Sequence, residues 1–597
     1  MKSSFIHLND LPDEILIYIL KKLNNIEVLY SLIGVNDRLN KIANDSIFTN
    51  HLILMKYLSN DSIYPLANSK LDRLCSKVLP LIHNKIEWLN IESSSIKRIL
   101  LVTNYSNLHG IGLYNTNMKK FLSIFTDLHV LFKLVNRIEK GNEPIQKAFE
   151  KQIYDIGIDV VNRTSATANK DPKTYIEAII EIYVRFFKVV KEAFDCEHGY
   201  MTALDRACGK FINDNAIVKE AQKSAKSAEL LARYCDLILR KGNKIELGDI
   251  EEKINEIMIV FNYIQDKDIF QKFYGRLLAK RLVEQLSVSD DCEESLITKL
   301  RATCGFEYAS KLQRMFQDIR LSTSLIKEYK TIKECKTIEE YKTNGEVDFS
   351  VMVLTSNSWP FTTPPIFNLP TELKPALDDF GAFYSKKFSG RQLKCLFQYS
   401  KGELQTLYTK PKYILQVSTY QMAVLLLFNE FENMTVQKML DTTQITPESF
   451  AQVLVGLLKS KVLTCAEINP DTLNENLDES GIRPNSIIEI SQNFRSNKIK
   501  INLIKPIGTS VQNPVDTKSI YKSIIEDRKI VIQAAIVRIM KARKQLKHTL
   551  LVQEVIQQLN SRFKPEIPMI KQCIDLLIEK EYLERNQKER DLFHYLA

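Results

Sequence analysis

The 597 residues are long enough for several domains with cores of their own, and 45% hydrophobic with 26% charged residues is the balance of an ordinary water-soluble fold. Eighty-two basic against 72 acidic residues give a net charge of +10, which favours acidic partners without selecting a class of them. The longest apolar run, Met422–Phe428, is far short of a bilayer span, and residues 1–20 lack the pattern of a secretory leader. The ten cysteines contain no C-x-x-C pair and the eight histidines fall at no metal-ligand spacing, so neither a disulfide framework nor a metal or cofactor site is expected. No phosphate loop, nucleophile elbow or dinucleotide turn occurs, so the chain is expected not to be an enzyme.

Residues 1–50 open on Leu11-Pro12-Asp13-Glu14, where proline and acidic side chains suit a first helical turn. Ile15, Ile19, Leu20 and Leu23 follow on one helical face, Asn24-Asn25 breaks the helix, and Val28, Leu29, Leu32, Ile33 and Val35 form a second apolar set. Residues 51–118 alternate short apolar patches with Ser/Asn breaks. The stretch 103–117 has the composition of a loop, and no leucine-rich or other binding repeat is read there. From residue 119 the pattern is helical, with Leu128, Leu131, Leu134, Val135 and Ile138 on one face and Ile176, Ile179, Ile180, Tyr183, Phe187 and Val190 on another. Helices continue over 251–355, where Lys280 and Arg281 read as a solvated face. Between 356 and 505 the segments 412–418, 486–494 and 498–504 read as strands. Residues 506–521 read as a polar linker. The last segment, 522–597, carries a basic helix over 526–548, helices over 552–559 and 570–578, and a closing hairpin.

On that basic helix Lys541 stands among Arg538, Arg543, Lys544 and Lys547, with no acidic residue between Asp527 and Glu554. An exposed amine crowded by like charges is a candidate nucleophile for attachment of another molecule; a solvated basic face is the plain alternative. A basic first helix also admits a DNA-binding winged helix, but the third helix and its end (569–581) hold Asp575, Glu579 and Glu581 against Lys571 and Lys580. Carboxylates there oppose docking to phosphates, which argues against nucleic acid.

The segments "GYMTALDRACGKFIN", "FQKFYGRLLAKRLV", "CGFEYASKLQRMFQDI", "LTSNSWP", "LQVSTYQMAVLLLFN", "IVRIMKARKQLKH" and the terminal "YLA" resemble cullins, in cullin order, over about residues 119–597. The similarity is to cullins that scaffold Skp–cullin–F-box ubiquitin ligases. It implies a mostly α chain with a small α/β part: one cullin-repeat helical bundle (119–250), a four-helix bundle (251–355), an α/β domain with a first winged-helix unit (356–505), and a C-terminal winged-helix neddylation domain (522–597). Residues 1–50 resemble an F-box, with Phe48 where that motif commonly has tryptophan.

The resemblance implies a non-catalytic scaffold in ubiquitin-dependent degradation, placed in cytoplasm and nucleus. Lys541 would form an isopeptide bond with a Nedd-type ubiquitin-like modifier, and Arg538, Arg543 and Lys544 would dock the modifying enzyme. An Rbx-type RING protein would add a strand to the α/β domain and bring a ubiquitin-conjugating enzyme. Leu11, Pro12, Asp13 and Glu14 would form the entrance to the Skp-binding surface. No membrane partner is implied. The earlier cullin repeats have no counterpart, so a competitor that only sequesters the RING protein is the alternative role.

Overall fold

The computed structural model describes residues 11–57, 63–92, 95–103, 105–114, 129, 132–133, 142–168, 170–215, 226–242, 245–337, 347–361, 365–467, 483–504, 514–586, 589 and 591–596. The expected helical face of Leu128, Leu131, Leu134, Val135 and Ile138 lies outside them, as does the first half of the expected linker, 506–513. The chain divides into two compact units, 1–234 with 255–266, and 235–254 with 267–597.

In the first unit, helices α1 (Asp13–Leu20), α2 (Asn25–Leu32) and α3 (Asp37–Ala43) share one core with the strands that follow. Asn24 and Asn36 cap α2 and α3 by accepting from Ile26 and Leu39 backbone N–H groups, which explains why the Asn-rich breaks start helices. Strands β1 (His51–Leu54), β2 (Trp88–Glu92) and β3 (Gly110–Tyr114) form a parallel sheet in chain order. Short helical segments between Asn68 and Lys85 join β1 to β2, and Ile96–Leu100 lies between β2 and β3. The expected loop over 103–117 therefore contains a strand. Gly110 and Gly112 hid it, because glycine is a poor strand former unless a neighbour lies close over the backbone. Here the Trp88 ring does: a Cβ at Gly110 would stand 2.3 Å from it.

Downstream in this unit, α4 (Asn142–Ala168), α5 (Pro172–Ala193) and α6 (His198–Asn213) pack around Phe149, Phe186, Phe194 and Tyr200, the last two stacked at 3.8 Å. Ile176, Ile179, Ile180 and Val190 of the predicted face are buried. Helices α7 (Lys226–Leu239) and α8 (Leu247–Tyr263) are each divided between the units.

The second unit continues with α9 (Lys267–Glu284), α10 (Asp290–Cys304), α11 (Phe306–Thr337) and α12 (Lys374–Lys387). Strand β4 (Lys401–Gln405) pairs antiparallel with β5 (Ile414–Ser418). Helix α13 (Thr419–Leu426) starts at a Ser418/Gln421 capping box, a local signal strong enough to end β5. Then come β6 (Asn433–Thr435), α14 (Val436–Thr443), α15 (Pro447–Lys459), β7 (Leu463–Cys465), β8 (Ile487–Ile490) and β9 (Lys500–Asn502). The three predicted strands exist but do not share a sheet: β9 pairs parallel with β5, whereas β8 lies between β6 and β7 in a separate antiparallel sheet.

The terminal segment is α16 (Pro514–Arg543), β10 (Gln545–Lys547), α17 (His548–Leu559), α18 (Ile567–Glu579), β11 (Leu583–Arg585) and β12 (Leu592–Tyr595), with sheet order β10-β12-β11. Residues 514–521, expected in the linker, are the first two turns of α16. Pro514 is tolerated there because the first turn has no intrahelical acceptor for its missing N–H. Three helices and this sheet enclose a core of Ile532, Ile536, Met540, Leu551, Val555, Ile570, Ile574 and Phe593.

Candidate modification site and docking surfaces

Near its C-terminal end α16 buries Ile532, Ala535, Ile536, Ile539 and Met540 against α17 and α18, leaving Arg538, Lys541, Ala542, Arg543 and Lys544 exposed. Lys541 is thus one step past the last core residue, with its amine in solvent. The helix stops at Lys544, whose φ of 64° is left-handed. The Tyr595 backbone N–H donates to Lys544 O at 2.9 Å, and the Lys544 ammonium sits 5.3 Å from the Tyr595 ring centre. Tyr595 therefore braces the helix end beside Lys541.

The charge environment is less uniform than the sequence suggests. Arg543 pairs with Glu554 of α17 at 3.1 Å, a carboxylate eleven positions away that folding returns to the helix face. Of the three expected docking cations, Arg543 carries a salt bridge, Lys544 leans on Tyr595 and Arg538 stands exposed.

The middle of α16 is tied to the helical bundle of the same unit. Arg528 donates from Nε and Nη2 to the Asp268 carboxylate at 2.5 and 2.7 Å, and its guanidinium lies over Phe563. Lys272 reaches Asp527 at 2.8 Å, Arg562 pairs with Glu307, and the Lys267 N–H donates to Arg562 O at 2.9 Å. Burial pulls the Lys267 ammonium below the usual lysine range, opposed by the nearby Cys304.

Arg281 corrects the sequence reading outright. It is fully buried rather than solvated: Nε and Nη2 donate to Glu293 at 2.8 and 3.0 Å, and Nη1 donates to Asp236 at 2.6 Å. Tyr274 and Ser287 hydroxyls complete the Glu293 carboxylate at 3.0 and 2.9 Å. Burial opposes the guanidinium charge most strongly of any one cause, but Glu293, Tyr274 and Asp236 together raise the Arg281 pKa above the ordinary arginine value. No periodicity signal distinguishes this arginine from Lys280 beside it.

The opening tetrad sits at the entrance of α1. Arg38 Nε donates to Asp13 at 2.8 Å and Arg38 Nη2 to Leu11 O at 2.5 Å, while Pro12 O accepts the first helical N–H groups. Pro12, Asp13 and Glu14 are exposed, and Leu11 packs partly on the core. Helix α1 buries Leu16 and Leu20 but exposes Ile15 at 47%, Tyr18 at 66% and Ile19 at 41%, and Leu23 in the turn after it is 49% exposed. Three of the four apolar residues expected on one face thus form an open stripe, with Tyr18 added.

Two features suit the addition of a strand. Strands β4 and β9 are the edges of the three-stranded sheet around β5. The second was missed in sequence: residues 347–355 belong to no helix or strand, and their alternate residues Phe349, Val351 and Val353 pack on Leu325, Tyr329, Phe380 and Tyr384. Ser322 Oγ bonds both the N–H and the carbonyl of Val353, and Asp318 accepts from Thr355 N–H and Trp359 Nε1. No strand among the described residues pairs with it. The alternation at 347, 349, 351 and 353 was the available signal. Among the described residues no three His, Cys, Asp or Glu side chains converge as metal ligands, and no helix is long and apolar enough to cross a membrane.

Comparison with known families matches the cullin alpha solenoid domain over residues 89–326, the cullin alpha+beta domain over 353–494 and the cullin protein neddylation domain over 527–589. The chain is 41% identical over 476 residues to Cullin-1 of Dictyostelium discoideum, covering 79% of this chain and 60% of that protein. It is 40% identical to Cullin-1 of Caenorhabditis elegans over 79% of this chain and 59% of that protein. With Cullin-5 of Dictyostelium discoideum it shares 32% identity over 84% of this chain and 68% of that protein. The chain spans about three fifths of the length of the first two relatives. Identity on this scale, in three consecutive cullin domains, means that the chain belongs to the cullin family.

Proposed function

We propose that this chain is a non-catalytic scaffold of a cullin–RING ubiquitin ligase, regulated by an isopeptide bond between Lys541 and a Nedd-type modifier. The observation that carries the reading is the exposed Lys541 amine at the braced end of α16, inside the segment matched by the neddylation-domain model. Arg538 is the cation best presented to a modifying enzyme, with Arg543 and Lys544 beside it. An Rbx-type RING protein adds a strand at the α/β region, either on an edge of the β4–β5–β9 sheet or along residues 347–355. Such addition satisfies a row of backbone groups at once, which makes binding long-lived. The RING protein brings the ubiquitin-conjugating enzyme, so chemistry resides in partners and this chain supplies proximity. The setting is cytoplasm and nucleus. No cofactor is needed.

The terminal module, 522–597 in this reading, is of winged-helix type, and its swing on modification requires opening the Arg528–Asp268 and Lys272–Asp527 pairs. At the other end residues 1–50 act as an F-box. Leu11, Pro12, Asp13 and Glu14 lead into α1, whose open Ile15–Tyr18–Ile19–Leu23 stripe is the surface on which Skp packs. Reconstitution with an Rbx-type protein and the modifier's conjugating enzymes, followed by intact-mass and peptide spectrometry, tests the site. One adduct at Lys541, lost in Lys541→Arg, is expected; an RING-bound chain with no adduct there overturns it.

A competitor that holds the RING protein without delivering substrate is the second reading, favoured by the chain's match to only about three fifths of the length of its Cullin-1 relatives. Gel filtration with Skp separates the two. A complex lost on Ile19→Asp supports the ligase, and no complex leaves the competitor. Nucleic-acid binding is disfavoured because α18 presents Asp575, itself paired to Arg585, and Glu579.

A further inference from the structure

Between the α1–α3 helices and α4, the parallel sheet of β1, β2 and β3, in chain order, has the strand order of a repeat solenoid; β2 and β3 fall within the start of the segment matched by the cullin solenoid model. Ile86-x-x-Leu89-x-Ile91 returns as Leu108-x-x-Ile111-x-Leu113, a step of 22 residues from 86 to 108. That is the spacing and pattern of leucine-rich repeats, contrary to the absence of repeats expected from sequence. The register aligns Leu52, Leu89 and Ile111 in one column and Leu54, Ile91 and Leu113 in the next. Leu52, Leu54, Leu89 and Ile91 are buried in the same core as Leu16 and Leu29. The α1–α3 helices therefore cap a solenoid too short to stand alone.

On the opposite side of the sheet His51 and Trp88 are exposed and Ile53, Asn90 and Gly112 half-buried. In register, one row is His51, Trp88 and Gly110, and the next is Ile53, Asn90 and Gly112. The Trp88 ring lies across Gly110 and is 53% exposed. The Asn90 carboxamide lies across Gly112, with Nδ2 3.1 Å from His51 Nε2 and Oδ1 where a Cβ at 112 would stand 2.1 Å away. Both glycines are thus required by the side chains lying over them. Glu92, next in the alternation, is buried. In a chain of net charge +10, these two rows contain no lysine, arginine or carboxylate.

We propose that this face is a docking platform for an extended, uncharged peptide segment of a partner protein. The open Trp88 ring takes an apolar side chain, and the oriented Asn90 amide takes the peptide main chain. A neutral face complements a neutral segment; it offers nothing to nucleic-acid phosphates or an acidic tail. If the scaffold reading also holds, one chain carries both a substrate-reading face and the RING-bearing arm, and that consequence alone rests on it.

The test uses the full chain against a phage-displayed library of random dodecapeptides, with hits resynthesised, labelled and titrated by fluorescence anisotropy. Hits are expected to be poor in charged residues. Trp88→Ala should weaken them about tenfold or more, as for an exposed tryptophan at the centre of a contact. Asn90→Asp, equal in volume, and Gly112→Val, which displaces the amide, should weaken them severalfold. Raising salt from about 50 to about 300 mM should change affinity less than about twofold, since no ion pair is involved. Peptides that bind wild type and Trp88→Ala equally, no selected peptide at all, or a steep loss with salt would overturn the proposal. Adduct formation at Lys541 is read separately on the same samples, so failure of the ligase reading leaves the binding result standing.

Discussion

The basic stretches of α9 and α16 read alike along the chain and end in opposite environments. "RLLAKRLVE" and "IVRIMKARK" each set cations among leucines, isoleucines or methionines at helical spacing. In α9 the helix is enclosed by its bundle, and Arg281 is fully buried because Glu293 and Asp236 accept from it while Tyr274 and Ser287 complete the Glu293 carboxylate. In α16 the last turn runs past the core, and Lys541 meets water. A cation's fate is set by what the tertiary fold brings to it. A buried guanidinium is structural and costly to disturb; an exposed amine is free to react and contributes little to stability.

The sharpest way to break this contrast is Arg281→Ala, which strands the Glu293 carboxylate. It should cost about 3–5 kcal/mol, read as a fall in the unfolding transition of the second unit in denaturant titrations of the full chain. Arg281→Met combined with Glu293→Leu should recover most of that loss, because replacing both charges removes the stranded one. A double variant as unstable as the single would show that packing, not charge, dominates there.

Arg528→Ala lies between the extremes, since its partner Asp268 is only partly buried. About 1–2 kcal/mol is expected, seen as faster hydrogen exchange in α16 with the core of the terminal module unchanged. Lys541→Ala should change stability by less than about 0.5 kcal/mol while abolishing the adduct, which separates reactivity from folding. A large loss would place the amine in a structural role.

Smallest is the acid response of Glu251. The hydrogen bond from Lys299 lowers its pKa below the ordinary glutamate value. Its stabilisation is therefore present above the unfolded-state pKa and is lost as pH falls through the folded one. Half its side chain is exposed, so solvent screening leaves about 0.3 kcal/mol or less, and Glu251→Gln should flatten the acid limb only slightly.

The residues themselves disclosed much of the architecture. The helical face of α5, the strands at 414–418 and 487–490 and the helices α17 and α18 are local or periodic, and periodicity reports burial within one element. Lys541 was legible because one helix turn sets its exposure. The β3 strand was not, because Gly110 and Gly112 are strand-compatible only beneath Trp88 and Asn90, contributed by the neighbouring strand. The separation of β8 from β5 and β9 was hidden as well, since pairing depends on partners far along the chain. Sequence by itself thus determined the helical face of α5, the helices α17 and α18 and the exposure of Lys541, since these follow from neighbours within a few residues, whereas the basic helix expected to run to 548 ends at Arg543 and residues 545–547 become β10. Only the tertiary structure decided that Arg281 is buried, that Arg543 meets Glu554 and that 51–114 is a parallel sheet, because each depends on groups that folding alone brings within hydrogen-bonding reach.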